Sequence, residues 1–382
     1  MDKKFTQKLG ERLKKVREEL ELTLGEVAEK LGFKSYQILS SIEDGSREVK
    51  AHELAALARI YLKDINYFLN ENQEIDEKSL VFWRDPVSDQ KLRTFKEQEF
   101  LKYCHNYFEL EEKLNIDHKA FLPSFNLNSD NFNYEKSEEI AIRCYNELHL
   151  GSRPACCLEK ILEEKYNIKI LYLDLTPYGS AACTVGYFGS AILINSSEPL
   201  LRRNYDLAHE LFHLLTWDVF KTQNVHVTCD PSSIIEKWAN AFASTLLLPA
   251  DEVKNEAEKR IVDNQMSDLD IIDVAREFLV STEALMWRLV NLRFIKQKEA
   301  TEWLSKSEIR DLDRQARLKD KKEPPHISER YVSLAFKAYQ QGLISKGKLS
   351  EYLNVDRIEV ESKLSEYGYV EGEVYNGTLT LA

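Results

Sequence analysis

The sequence has 382 residues, 43% of them hydrophobic, which suits two or three packed domains and excludes a disordered chain. A formal net charge of -12 excludes a protein whose whole surface binds nucleic acid, so any DNA contact must be local to one module. The opening residues Met1 to Thr6 lead into an amphipathic helix with no apolar signal core, and no apolar run long enough for a bilayer follows. The expected location is the cytoplasm, with no membrane partner. Six cysteines (Cys104, Cys144, Cys156, Cys157, Cys183 and Cys229) without a CxxC pair fit reduced thiols.

Residues 1–75 are expected to form a bundle of short helices. Leu9, Leu13, Val16 and Leu20 recur at helical spacing, and Thr23 with Glu26 forms a capping box for a second helix that Gly32 ends. A third helix is predicted over 35–43, stopping at Gly45, and a fourth carries Leu54, Leu57, Ala58 and Tyr61 on one side. Ala28, Leu31, Gly32, Ile42, Glu43, Gly45 and Leu57 then resemble the XRE-type helix-turn-helix of phage repressors over about the first seventy residues. Leu24 departs from the usual glutamine, and the recognition helix opening at Tyr36 carries no arginine or lysine. The resemblance implies binding to double-stranded DNA, with Tyr36, Gln37, Ser40 and Ser41 on the reading helix and Lys34, Arg47 and Lys50 on phosphates. The same fold could instead dock a protein.

Residues 76–135 are expected to be a helical connector whose aromatics, among them Phe82, Trp83 and Phe100, pack on a neighbour. Residues 136–300 change texture, with helices ending near Leu148 and over 155–166, then strand-like runs at 168–173, 181–188 and 190–195. Helices over 270–278 and 282–292 follow. Residues 301–382 form a C-terminal helical region whose 328–367 segment suits a packing or interaction module.

The run "NYDLAHELFHLLTW" puts His209 and His213 four residues apart, on one face of a helix about one turn apart. Two imidazoles so placed suit zinc, and Glu210 beside the first can act as a base. The flanking apolar residues make the helix buried, where unpaired polar groups cost several kcal/mol unless a partner such as a metal ion meets them. A third ligand should come from a later helix: Glu236 is the candidate, with Asp218 and Asp230 in reserve, although Ser233 and Glu236 also read as a capping box. Asn240, one turn beyond, would accept the other ring N–H of a ligating histidine.

Together with "EKWANAFASTLLLP", this run is similar to the ImmA/IrrE metallopeptidases, which cleave transcriptional repressors, over about residues 140 to 295. The resemblance implies a zincin-like domain in an α+β, predominantly helical chain. It implies a Zn2+ ion held by His209, His213 and Glu236, with Glu210 as the base. Phe212 departs from it, standing where glycine is common. The expected function is a zinc-dependent endopeptidase acting on a repressor or similar regulatory protein and recruited by the helix-turn-helix. The alternatives are a DNA-binding regulator whose zinc domain does not turn over, and a partner-binding component of a toxin–antitoxin-like system. A thiolate of Cys183 or Cys229 could cap the metal, and Tyr205, Tyr187 and His226 are candidates to stabilise an oxyanion.

Overall fold

The computed structural model describes residues 3–69, 80–84, 89–116, 121–176, 179–224, 233–261, 266–317 and 327–370. It divides into two units, one made of residues 1–79 and 87–103, the other of 80–86 and 104–382. The fold is α+β and predominantly helical.

Local capping sets the helix boundaries of the first unit. After α1 (Lys3–Glu19), the Thr23 hydroxyl accepts from the Glu26 N–H at 3.2 Å, and the Glu26 carboxylate accepts from the Thr23 N–H at 2.7 Å, opening α2 (Leu24–Lys30). Ser35 caps α3 (Tyr36–Glu43), which is followed by α4 (Ala51–Ile60) and α5 (Ile65–Leu69). Gly45 has φ +68, and a Cβ there would stand 2.8 Å from the Gln7 Cα, so α1 can lie against this turn only because the residue is glycine. Leu9, Leu13, Val16, Leu39, Ile42, Leu57 and Tyr61 form the core. Within it the Arg17 guanidinium clamps both oxygens of Glu43, at 2.7 and 2.9 Å, and donates to the Leu22 carbonyl. The periodicity of the first seventy residues therefore places their core correctly.

The second unit is built on a four-stranded mixed sheet, β1 (Val81–Arg84), β2 (Lys169–Leu173), β3 (Ala181–Gly186) and β4 (Gly189–Asn195), in the order β1-β3-β4-β2. The last three are the strands expected from the β-rich runs. β1 is a correction: residues 81–84 were expected within a helical stretch, and they pair instead antiparallel to β3, with Phe82 opposite Cys183. A four-residue strand is too short for its own periodicity to show, and its partner lies a hundred residues on. α6 (Gln90–Lys113) follows and enters the second unit at Cys104.

α7 (Tyr134–Leu148) and α8 (Leu158–Glu164) precede the sheet, and α9 (Leu200–Leu215) and α10 (Trp217–Asn224) follow it. Helix α9 packs on β3 and β4 and is covered by α11 (Ile234–Leu247), which also packs on α7. Ser137 of α7 donates its hydroxyl to the Trp238 carbonyl at 2.7 Å. Phe212 fills this layer, buried edge-on to Phe132 and beside Phe242, so its bulk goes into the core. Helices α12 (Ala250–Glu258), α13 (Asp268–Glu277), α14 (Thr282–Asn291), α15 (Gln297–Ser305) and α16 (Ser307–Arg317) extend the unit.

The C-terminal helices α17 (Glu329–Gln340), α18 (Lys346–Leu353) and α19 (Val360–Glu366) join the sheet through buried charge. Glu111 of α6 forms an ion pair with Lys169 of β2 at 2.9 Å and accepts from Arg330 of α17 at 3.0 Å, while Ser328 donates to Glu163. Among the described residues no helix is long and apolar enough to cross a membrane.

Candidate metal centre

α9 is apolar almost all round, so His209, Glu210 and His213 are carried into the interior, with exposures of 0%, 1% and 5%. α11 begins at the Ser233 cap, and its buried face of Ile235, Trp238, Ala239 and Phe242 turns Glu236 and Asn240 towards those histidines. The Glu236 carboxylate lies 3.0 Å from His209 Nε2 and 3.3 Å from His213 Nε2, and the two Nε2 atoms are 3.2 Å apart. Only half of the expected capping box is present: the Glu236 backbone N–H donates to Ser233 Oγ at 3.3 Å, while the Glu236 carboxylate turns to the imidazoles and does not complete the box. Among the described residues this is the group of three whose donor atoms could hold a metal ion.

The donor chemistry fits zinc. Two donors on a tetrahedron around zinc, each about 2.0–2.1 Å from it, stand about 3.3 Å apart, close to the observed spacings. Burial, aided by the positive Arg84, pushes His209 down to about 3, so its ring is neutral and carries a single N–H. That N–H belongs at Nδ1, which meets Asn240 Oδ1 at 3.1 Å. The Nε2 lone pair then faces a second imidazole nitrogen and a carboxylate, a set of acceptors that only a cation or an added proton can reconcile. Burial lowers His213, but hydrogen bonding and charge from Glu236 outweigh it and leave the residue raised. Burial also opposes ionisation of Glu236, yet the two histidines hold its carboxyl well below the usual range.

Glu210 projects beside this group. Burial pushes its carboxyl up to about 7, while the charge of His213 and the neighbouring Cys183 thiol favour its ionised form. Cys183 of β3 is not among the three converging donors. Tyr205 donates its hydroxyl to the Asn240 carbonyl at 2.9 Å, and Tyr187 pairs with His105 Nδ1 at 2.6 Å on the surface. Asp218 lies on α10 outside the converging group; His226, Cys229 and Asp230 fall outside the described residues.

Two residues of this centre are absent from the sequence expectations. Arg84 of β1 pairs with Asp206 of α9 and donates from Nη2 to Asn240 Oδ1 at 3.4 Å. Asp206 is fully buried one turn before His209. The i, i+3 spacing of Asp206 and His209 could have flagged the acid, whereas nothing local marks the arginine.

In the helix-turn-helix unit, Lys34, Tyr36 and Gln37 are exposed. The Ser41 hydroxyl donates to the Ile38 carbonyl at 2.7 Å, and Ser40 lies 3.5 Å from Asp44. Arg47 clamps Glu53 through both oxygens, at 2.7 and 3.0 Å.

Residues 163–290 match the family model of the IrrE N-terminal-like domain, peptidase family M78, and residues 8–62 match that of a helix-turn-helix domain. The matched regions are thus a domain similar to a metallopeptidase family behind a helix-turn-helix, a combination that supports the ImmA/IrrE architecture with an N-terminal helix-turn-helix. No curated protein and no solved structure matches the chain.

Proposed function

We propose that the second unit is a zinc-dependent endopeptidase that cleaves a transcriptional repressor or similar regulatory protein in the cytoplasm. The observation that carries this reading is the convergence of His209, His213 and Glu236 on one point, with Glu210 next to the first histidine. Zinc at that point would supply a Lewis acid for a peptide carbonyl and lower the pKa of water. Asn240 holds the His209 tautomer that presents Nε2. Glu210, with its carboxyl near neutral pKa, takes a proton from water and returns it to the leaving amine.

The helix-turn-helix serves recruitment. Lys34, Tyr36 and Gln37, all exposed, are the residues best placed to meet DNA, while Ser40, Ser41 and Arg47 would first have to release their internal partners. Tethering to an operator raises the effective concentration of the peptidase near a repressor on the same DNA. A second reading, a regulator whose zinc domain senses without turnover, is favoured by the depth of burial of Glu210 at 1% exposure.

Glu210→Gln separates the two. It should leave bound zinc unchanged by elemental analysis and lower cleavage of a co-expressed repressor by roughly 10²-fold or more. Regulation that persists at full strength in that variant would establish the sensor and eliminate the peptidase.

A further inference from the structure

Arg84 lies outside the residues that match the peptidase model, yet its guanidinium ends in the heart of the centre. Its strand is anchored on both sides, since Phe82 stacks on Trp217 with ring centroids 4.2 Å apart and the backbone pairs with β3. One arm of the fork is held by the fully buried Asp206, the plane lies over the Tyr205 ring at 5.5 Å, and the other arm reaches Asn240 Oδ1. The same Tyr205 donates to the Asn240 backbone carbonyl. Two successive residues of α9 thus hold the Arg84 guanidinium and the backbone of Asn240.

We propose that Arg84 is a positioning residue for the metal centre, setting the amide orientation of Asn240 and through it the tautomer of His209. The proposal rests on the zinc reading above. Asn240 Oδ1 accepts from Arg84 Nη2 and from His209 Nδ1 at once. A flipped amide would turn its NH2 towards a guanidinium, which has no acceptor, so Arg84 penalises the flip. With the oxygen so held, the His209 proton belongs at Nδ1 and the Nε2 lone pair points at His213 and Glu236. Without the arginine, both amide orientations become available. The flipped one donates to Nδ1 and drives the proton to Nε2, where it competes with a metal ion.

Arg84 and Asp206 are coupled, so two variants of the full chain are needed. Arg84→Lys keeps the charge pair with Asp206 but lacks the rigid second arm. Arg84→Met/Asp206→Asn removes both charges with no net change, at the cost of the Asp206 carboxylate that Arg202 also meets at 3.2 Å. In the zinc-free chain, histidine ¹⁵N NMR should show wild-type His209 protonated at Nδ1 and a tautomer mixture in both variants. Competition with a chelator should show zinc held about 10–100-fold less tightly by the variants, the usual effect of losing an outer partner of a ligating histidine. Adding Asn240→Asp, which presents oxygen either way, should make the tautomer and the zinc affinity indifferent to Arg84→Lys. Folded variants that keep the Nδ1 proton and wild-type zinc affinity would overturn the proposal. A wild-type chain that takes up no zinc would instead remove the metal reading, and the tautomer comparison would still decide the role of Arg84.

Discussion

Replacing Glu236 by glutamine tests whether the converging donors hold a metal, with little change of shape. The substitution keeps the volume and the backbone cap to Ser233, but it removes the negative charge that both Nε2 atoms approach within 3.3 Å. α9 and α11 are already joined by Leu211, Phe212, Phe242 and Leu246, all fully buried, so the unit should stay folded without metal and zinc should add stability to it. With free zinc a hundredfold above its dissociation constant, the gain is about 2.7 kcal/mol. At about 2 °C per kcal/mol, the value for a domain of more than 200 residues, Tm should rise by about 5 °C. If Glu236→Gln weakens the site about a hundredfold, the same zinc concentration leaves about 0.4 kcal/mol, a shift below about 1 °C. Scanning calorimetry of each protein with zinc and with chelator reads this difference directly, and any change in the metal-free state cancels. A glutamine variant that kept the full zinc-induced shift would refute the assignment of Glu236, and a wild-type chain without one would refute the site.

The buried Arg17–Glu43 pair of the helix-turn-helix unit is expected to cost about 3–5 kcal/mol when Glu43→Ala strands the arginine. The double variant Arg17→Met/Glu43→Leu should recover most of that in urea unfolding, and equal losses would show that the pair is not the cause. Burial pushes Glu163 up to about 8 from an ordinary 4.5, so at neutral pH the folded state holds a proton that the unfolded state releases. Its contribution is complete below pH 4.5 and declines as pH rises towards 8, with a slope of about 1.4 kcal/mol per pH unit. Glu163→Gln should remove that slope from urea midpoints measured between pH 5 and 8; an unchanged slope would place the titration elsewhere. Against burial, Glu236 keeps His213 raised, so zinc uptake below that pKa should release a proton, which calorimetry in buffers of different ionisation enthalpy would count.

What could be read from the chain alone was whatever repeats at short range. The cap at Thr23 and the turn at Gly45 are three- to four-residue signals, and each marks the helix end it predicts. His209 and His213 were visible because one turn of one helix brings them together, and Glu236 with Asn240 repeats the same spacing on a second helix. The joining of those two helices could only be inferred from their apolar faces. Contacts between distant segments left no such trace. Arg84 meets Asn240 across 156 positions, and its strand is defined by a partner that composition does not reveal. Arg17 and Glu43 likewise form a pair that neither neighbourhood announces.

The placement of β1 bears on how the chain can be dissected. Residues 80–86 belong to the second unit, although the chain on either side of them, 1–79 and 87–103, belongs to the first. An excised fragment limited to 163–290 would retain both histidines, Glu210, Glu236 and Asn240, yet β3 would have a bare edge and Asp206 would lose the Arg84 guanidinium. Poor zinc retention by such a fragment would report on the scissors, and only the intact polypeptide can reveal what this centre does.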